Sequence, residues 1–136
     1  PGGRGGARGL SVGSARAQMG RAALEAMAHQ THDRASACAA DGAPWCRLHI
    51  DGGMSANDWM AQDLADILDL EVERPDFVET TALGAAILAA VGSGMQDSLE
   101  RAAHAMRGGG NTFNPQMTGD VRGARLAPYA RARPAA

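Results

Sequence analysis

The chain has 136 residues, which is enough for one domain with a hydrophobic core. Its formal net charge is -2, so no basic field indicates a nucleic-acid partner, and all its basic residues are arginine, which excludes lysine-based chemistry. No apolar run reaches transmembrane length and no signal peptide is recognisable, so we expect a soluble, cytoplasmic protein without a membrane span. The two cysteines, Cys38 and Cys46, are not in a CxxC arrangement and are expected to be free thiols.

The first third of the sequence predicts a flexible start followed by a long helix. Residues 1–9 are rich in glycine and arginine, and residues 10–12 could be the end of a strand. A helix is predicted over residues 15–39, and residues 41–44, which include a glycine and a proline, end it. The apolar side of this helix is expected to include Met19, Ala23, Leu24 and Met27.

A strand, a pair of glycines and a helix start follow one another in the middle of the chain. The strand is predicted at residues 46–50, the glycines are Gly52 and Gly53, and Ser55 is expected to cap a helix over residues 56–68. Such a junction directs backbone N–H groups outward, and the positive end of the helix dipole suits a phosphate. The alternative is that the glycines only allow the positive φ of a turn. The predicted buried side of the helix consists of Met60, Leu64, Ile67 and Leu68.

A second strand and a helix of small residues come next. The strand is predicted at residues 71–74 and ends at Pro75. Two strands joined by a helix form a βαβ unit, so we expect the two strands to be parallel. The next helix, at about residues 80–90, is expected to be capped by Thr80 or Thr81. Its small residues are expected to pack closely on the sheet; they are Ala82, Gly84, Ala85 and Ala86.

The C-terminal part is predicted to hold a last short helix and a tail. Asp97 or Ser98 is expected to cap the helix, which ends near Met106. Three glycines then start a tail rich in Arg, Pro and Ala. The expected division of the chain is a partial strand and flexible start at residues 1–13, an incomplete domain at residues 14–107 and a tail at residues 108–136.

Two sequence blocks carry a family resemblance. The block IDGGMSANDWMAQDLADILDLEVERP, followed by ETTALGAAILA, resembles the C-terminal actin-like domain of the glycerol kinases in the FGGY carbohydrate kinase family. The similarity extends over residues 9–117, and the Asn-Asp-Trp run favours glycerol kinases over the xylulose and gluconate kinases of that family. The resemblance implies an α/β fold that is part of an actin-like ATPase (ribonuclease H-like) domain, with a parallel βαβ core and packed helices.

The same resemblance implies a function. It indicates the ATP-binding C-terminal part of an enzyme that converts ATP and glycerol to ADP and glycerol 3-phosphate, with Mg2+ as a cofactor. Because the family is several times longer and this sequence has no initiator Met, we expect a fragment that is inactive alone. ATP or ADP and, through the missing domain, glycerol are the expected partners; a homo-oligomer of the full-length form stays open. Two alternatives remain, another FGGY sugar kinase of the xylulose or gluconate type and a non-catalytic truncated product.

The resemblance assigns nucleotide-binding residues to the glycine turn. Gly53 matches the family glycine whose backbone lies against the nucleotide phosphates, and Asn57 matches the family asparagine beside the adenine nucleotide. Gly52 is assigned to the same site, mainly as a turn residue. Asp51 could lie near magnesium, although an ordinary turn aspartate is the preferred interpretation. No catalytic residue and no metal ligand are assigned, since these are expected upstream.

Other polar residues are interpreted as surface residues. His29 and His32 lie three residues apart on the long helix, but no third ligand lies at a suitable spacing for a metal, so both are expected at the surface. Asp63 and Asp66 are interpreted as part of a solvated helix face.

Overall fold

The computed structural model describes residues 6–7 and 9–132. In chain order its elements are α1 (Arg16–Ala40), β1 (Arg47–His49), a 3-10 turn (Gly53–Ala56), α2 (Asp58–Leu68), β2 (Glu71–Pro75), α3 (Thr80–Gly92), α4 (Leu99–Met106), β3 (Gly110–Phe113) and α5 (Gly119–Ala132). The long helix, both predicted strands and the next three helices are therefore confirmed, with ends that differ by a few residues. Cys38 and Cys46 are free thiols, as predicted.

The strands form one sheet in the order β1-β2-β3. β1 and β2 are parallel, with Leu48 opposite Val72, which confirms the predicted βαβ unit. β3 adds an antiparallel edge in which Phe113 lies opposite Val72. The sequence did not predict β3, because the segment Gly110–Phe113 is short, polar and preceded by glycines.

The core lies around α2, which contacts α1, β2, β3 and α5. The predicted buried side of α2 is confirmed, since Met60, Leu64 and Ile67 are buried and Leu68 packs against them. Ala28 of α1 and Val72 of β2 complete the same cluster. A regular spacing of apolar residues on one helix face thus predicted the centre of the fold correctly.

The predicted apolar side of α1 is wrong. Met19 and Met27 are exposed, and the buried residues of this helix are Ala28 and His29. The His29 ring nitrogens lie 2.7 Å from the carbonyl oxygen of Glu25 and 3.3 Å from that of Arg125. The expectation of a surface histidine fails because α5, which was not predicted, covers this side of α1. His32 is half-buried.

The two aspartates assigned to a solvated face are also placed differently. Asp63 is buried, and its carboxylate accepts a hydrogen bond from Arg125 of α5. That hydrogen bond raises the pKa of the Arg125 guanidinium. Asp66 is half-buried and accepts hydrogen bonds from the backbone N–H groups of Gln116, at 2.7 Å, and Met117, at 3.2 Å. Both carboxylates therefore hold the C-terminal segment to α2.

The expected helix–sheet packing face of α3 is not observed. Ala82, Ala85 and Ala86 are exposed, Gly84 is half-buried, and Ala90 is the buried residue of this helix. Within the described ranges α3 packs mainly on α4, and no strand lies close enough to cover its small residues.

Both ends of the chain differ from expectation. Residues 10–12 form no strand and are exposed, while the part of the predicted flexible start at residues 1–5 and 8 lies outside the described residues. The helix that ends at Met106 is not the last, because the segment assigned to a tail contains β3 and α5. The cap of α4 is Ser98, one of the two predicted residues, whose side chain accepts from the Arg101 N–H at 3.3 Å.

Candidate functional site

The glycine turn after β1 contains two glycines with different roles. Gly52 has φ 82°, so it occupies the left-handed region that favours glycine and confirms the predicted turn role. Gly53 does not have a positive φ, and a Cβ atom added to it would meet nothing within 4 Å. The fold itself therefore gives no reason for glycine at position 53.

Two backbone donors are exposed at this turn. The Gly52 N–H donates to the carbonyl oxygen of Val78 at 2.8 Å. By contrast, the N–H groups of Gly53 and Met54 have no hydrogen-bond partner among the residues that the structure describes. Adjacent free N–H groups carry positive partial charge and can both donate to one anionic oxygen.

The helix start differs from the prediction. Ser55 does not cap α2; it is buried, and its hydroxyl donates to the Gly52 carbonyl oxygen at 2.7 Å. The 3-10 turn Gly53–Ala56 lies between Gly52 and α2, and Asn57 is the residue that caps this helix. Ser55 was assigned as the cap because serine is a common capping residue, but a side chain inside the 3-10 turn points into the protein.

Asn57 combines a structural contact with an exposed amide. Its Oδ1 accepts from the Met60 N–H at 3.2 Å, which satisfies one of the free donors at the start of α2. The side-chain nitrogen of Asn57 has no partner in the described part of the chain, and the residue is exposed. Asn57 can therefore donate to a ligand while its oxygen keeps the helix cap.

The segment around the start of α3 supports the turn from one side. Neither Thr80 nor Thr81 caps α3, because the cap position is Glu79, whose side chain makes no capping bond. The Thr80 hydroxyl instead donates to the Asp51 carboxylate. Asp51 is thereby tied to α3, in agreement with the interpretation of a turn aspartate.

Sequence reasoning missed Arg74, the last charged residue of β2. Its side chain is 11% exposed, and its Nη1 atom lies 2.7 Å from Asp58 Oδ1 and donates to the Ser55 carbonyl oxygen at 2.8 Å. The only signal in the sequence is an arginine directly before Pro75 at the end of a predicted strand, and nothing in that pattern predicts contact with the glycine turn.

A cleft of about 680 Å³ opens beside the turn. It lies at the carboxyl ends of β1 and β2, where ligands commonly bind in open α/β sheets, and the start of α3 and the loop 107–110 complete its walls. Asp51 and Arg74 line this cleft, whereas Gly52, Gly53 and Asn57 do not. The predicted nucleotide contacts therefore lie next to the cleft rather than inside it.

The described residues do not fit a metal site or a membrane span. No three His, Cys, Asp or Glu side chains among residues 6–7 and 9–132 are grouped so that they could hold a metal ion. None of the helices in the same ranges has the length and apolar character needed to cross a membrane.

Comparison with known proteins identifies similar sequences. A family model described as the FGGY family of carbohydrate kinases, C-terminal domain, matches residues 1–93. The glycerol kinase of Rhodospirillum centenum is 46% identical over 126 residues, which are 93% of this chain and 25% of that protein. The glycerol kinase of Rhodospirillum rubrum is 52% identical over 96 residues, or 70% of this chain and 19% of that protein. The chain thus spans about a quarter or less of the length of these relatives.

Solved structures agree on the fold. The crystal structure of Plasmodium falciparum glycerol kinase with ADP matches with a TM-score of 0.71 and 28% identity, over 91% of this chain and 25% of that chain. The xylulose kinase of Rhodospirillum rubrum matches with a TM-score of 0.66 and 23% identity, over 90% of this chain and 25% of that chain, which supports the fold alone. The predicted α/β class, part of an actin-like domain, is confirmed.

Proposed function

This chain belongs to the FGGY family of carbohydrate kinases, and we propose that it forms the nucleotide-binding C-terminal part of a glycerol kinase. The substrates proposed for the complete enzyme are ATP and glycerol, and the products are ADP and glycerol 3-phosphate. The glycerol kinase relatives favour this activity over that of the xylulose and gluconate kinases, whose solved structures are less than 25% identical to the chain.

The glycine turn is the observation that carries the proposal. Gly53 and Met54 present adjacent N–H groups without partners in the described residues, at a position where the backbone conformation does not require glycine. A phosphate oxygen of the nucleotide accepts from these two groups, and the absence of a Cβ atom at position 53 lets it approach the backbone. The Asn57 side-chain nitrogen supplies a further donor near the same nucleotide.

In the proposed phosphoryl transfer, this chain contributes hydrogen-bond donors to the nucleotide and no catalytic residue. The reaction depends on in-line positioning and on stabilisation of charge on the phosphoryl oxygens, and fixed backbone donors contribute to both. A Mg2+ ion bound with the ATP would supply further charge neutralisation at the phosphates, and we route no step through it. We place the catalytic base and the glycerol pocket outside this chain, and name no residue of it catalytic.

The proposal is tested in a chimaera in which this chain replaces the matching 126 residues of the Rhodospirillum centenum glycerol kinase. Gly53→Val should raise the KM for ATP by at least about tenfold, because a side chain at this position displaces hydrogen bonds to a charged oxygen. The KM for glycerol should stay the same.

A matched control variant is Gly119→Val. Gly119 begins α5, has no positive φ and, like Gly53, has open space around its Cβ position, so a valine there tests the cost of the substitution alone. It should leave both Michaelis constants unchanged. Equal effects of Gly53→Val on ATP and glycerol would contradict the assignment of this turn to the nucleotide.

A further inference from the structure

The position of the glycine turn depends on contacts from outside it. Bonds from the Ser55 N–H and hydroxyl to the Gly52 carbonyl oxygen shape the turn, and contacts with neighbouring residues set its position. On one side the Gly52 N–H bonds to the Val78 carbonyl oxygen at 2.8 Å. On the other side, the charged side chain of Arg74 reaches the segment 53–57.

Arg74 holds this segment at two points with one atom. Its Nη1 donates to the Ser55 carbonyl oxygen at 2.8 Å, in the middle of the 3-10 turn, and lies 2.7 Å from Asp58 Oδ1, at the first residue of α2. These contacts span Asn57, the residue between the turn and the helix. A hydrogen bond from a charged donor is stronger than one from a neutral donor, so the carbonyl contact has the strength to define the backbone position.

The Arg74 side chain is itself held in place. Its guanidinium lies over the Phe113 ring, 5.2 Å from the ring centroid, and the side chain is only 11% exposed. Phe113 belongs to β3 and Arg74 to β2, so this contact within the sheet holds the guanidinium independently of the turn. A long flexible side chain has thereby lost most of its freedom, as a positioning group requires.

We propose that Arg74 is a positioning residue for the nucleotide site: it fixes residues 53–57 so that the N–H groups of Gly53 and Met54 and the Asn57 amide face one ligand. The identity of the ligand, a nucleotide, rests on the proposed function, whereas the contact of Arg74 with the turn does not. Arg74 does not touch the nucleotide in this proposal; it acts through the Ser55 carbonyl and the start of α2.

The chain contains a matched control in Arg122. This side chain is 17% exposed, donates from Nε to the Asp66 carbonyl oxygen at 2.7 Å and lies 2.6 Å from the exposed carboxylate of Asp69. Arg74 and Arg122 therefore make the same kinds of contact at similar burial, one at the glycine turn and one at the end of α2. Substitution of either by Met keeps the length of the side chain and removes its donors.

The test uses the 15N-labelled 136-residue chain, NMR amide exchange and titration with MgADP. Arg74→Met should increase amide exchange at Ser55 and Asn57, whose N–H groups are bonded to the carbonyl oxygens of Gly52 and Met54, and weaken MgADP binding roughly tenfold, the change expected when a charged hydrogen bond no longer holds the site. Arg122→Met should leave both quantities at their wild-type values. Asp58→Asn should also leave MgADP binding near the wild-type value, since it keeps the Arg74 bond to the Ser55 carbonyl.

The outcomes separate this inference from the proposed function. A wild-type chain whose Gly53 amide does not shift with MgADP contradicts the proposed function, while amide exchange still decides whether Arg74 fixes the turn. Equal effects of Arg74→Met and Arg122→Met on amide exchange at Ser55 and Asn57 overturn the inference. If Arg74→Met does not fold, the same comparison is made with Arg74→Lys and Arg122→Lys, which keep the charge and lose the planar fork.

Discussion

Arg125 is the residue at which the attachment of α5 can be tested by a single substitution. Its Nη1 donates to Asp63 Oδ1, and its Nη2 lies 3.4 Å from Glu25 Oε1. The side chain of Asp63 is 4% exposed and that of Arg125 is 22% exposed. Arg125→Met therefore leaves a buried carboxylate without its cation, while the apolar part of the side chain is retained.

The size of the effect follows from this burial. Removal of one partner of a buried ion pair typically costs 3–5 kcal/mol, because the other charge stays buried and uncompensated. Since Arg125 itself is partly exposed and water can enter the gap, we take the lower end and expect a loss of about 3 kcal/mol in the free energy of unfolding. The double variant Asp63→Leu with Arg125→Met should lose much less, because it leaves no unpaired charge.

Urea unfolding followed by circular dichroism measures these differences. In the wild type the pKa of Arg125 is raised by Asp63, so its contribution is complete below the arginine pKa of the unfolded chain and is lost only as the pH rises through the higher folded value. Arg125 should therefore give the wild type no pH dependence between 6 and 9.

A loss below about 1 kcal/mol for Arg125→Met would refute this reasoning, because such a value is typical of an exposed ion pair. It would mean that α5 does not keep Asp63 from water. A double variant as unstable as the single one would contradict the second part, namely that the unpaired charge rather than the lost packing determines the cost.

Two further predictions concern the nucleotide site and the chain as a whole. Asn57→Ala should lower the free energy of unfolding by about 1 kcal/mol, whereas Asn57→Ser should keep the helix cap and the stability. Both variants lack the side-chain amide, so both should weaken MgADP binding. Urea unfolding measures the first effect and calorimetric titration the second. The purified 136-residue chain should form no glycerol 3-phosphate with ATP, glycerol and Mg2+ in a coupled assay, because it supplies only one side of a phosphoryl-transfer site; turnover above the no-enzyme control that Gly53→Val abolishes would show that the chain acts alone.

The sequence predicted the parts of the fold that depend on local pattern. The apolar spacing of Met60, Leu64 and Ile67 identified the buried face of α2, and alternation with a closing proline identified β2. The two glycines were placed correctly as the turn after β1. Each of these features is decided by residues close to one another in the chain, which is why sequence periodicity was sufficient.

The errors have a common physical cause. His29, Asp63 and Asp66 are polar residues on helices, and whether each is exposed depends on α5 and the segment before it. That helix has glycine at its start, Pro128 inside it and no buried residue, so its sequence carries little helical pattern. Its position is set by arginine contacts with partners more than fifty residues away, and no local rule reports such contacts.

In the candidate site, too, some features could be predicted from the sequence and others could not. Gly52 could be interpreted from turn preferences and Asn57 from the family resemblance, whereas the cap role of Asn57, the free N–H group of Met54 and the contact of Arg74 could not. Both depend on the 3-10 turn between the glycines and α2, which replaces the direct helix start that Ser55 suggested. Family resemblance assigned residues to the candidate site, and the structure shows which groups hold those residues in place.

The attachment of α5 also has a consequence for the order of folding. Asp63 and Arg125 are 62 residues apart in the chain, and His29 and Arg125 are 96 residues apart, whereas β1, α2 and β2 are neighbours in sequence. Closing long loops costs chain entropy before the contacts are gained, so we expect the βαβ unit to form first and α5 to dock afterwards. Contacts that are absent from the folding transition state slow unfolding without speeding folding. The contacts of α5 should therefore lower the unfolding rate and lengthen the lifetime of the folded chain.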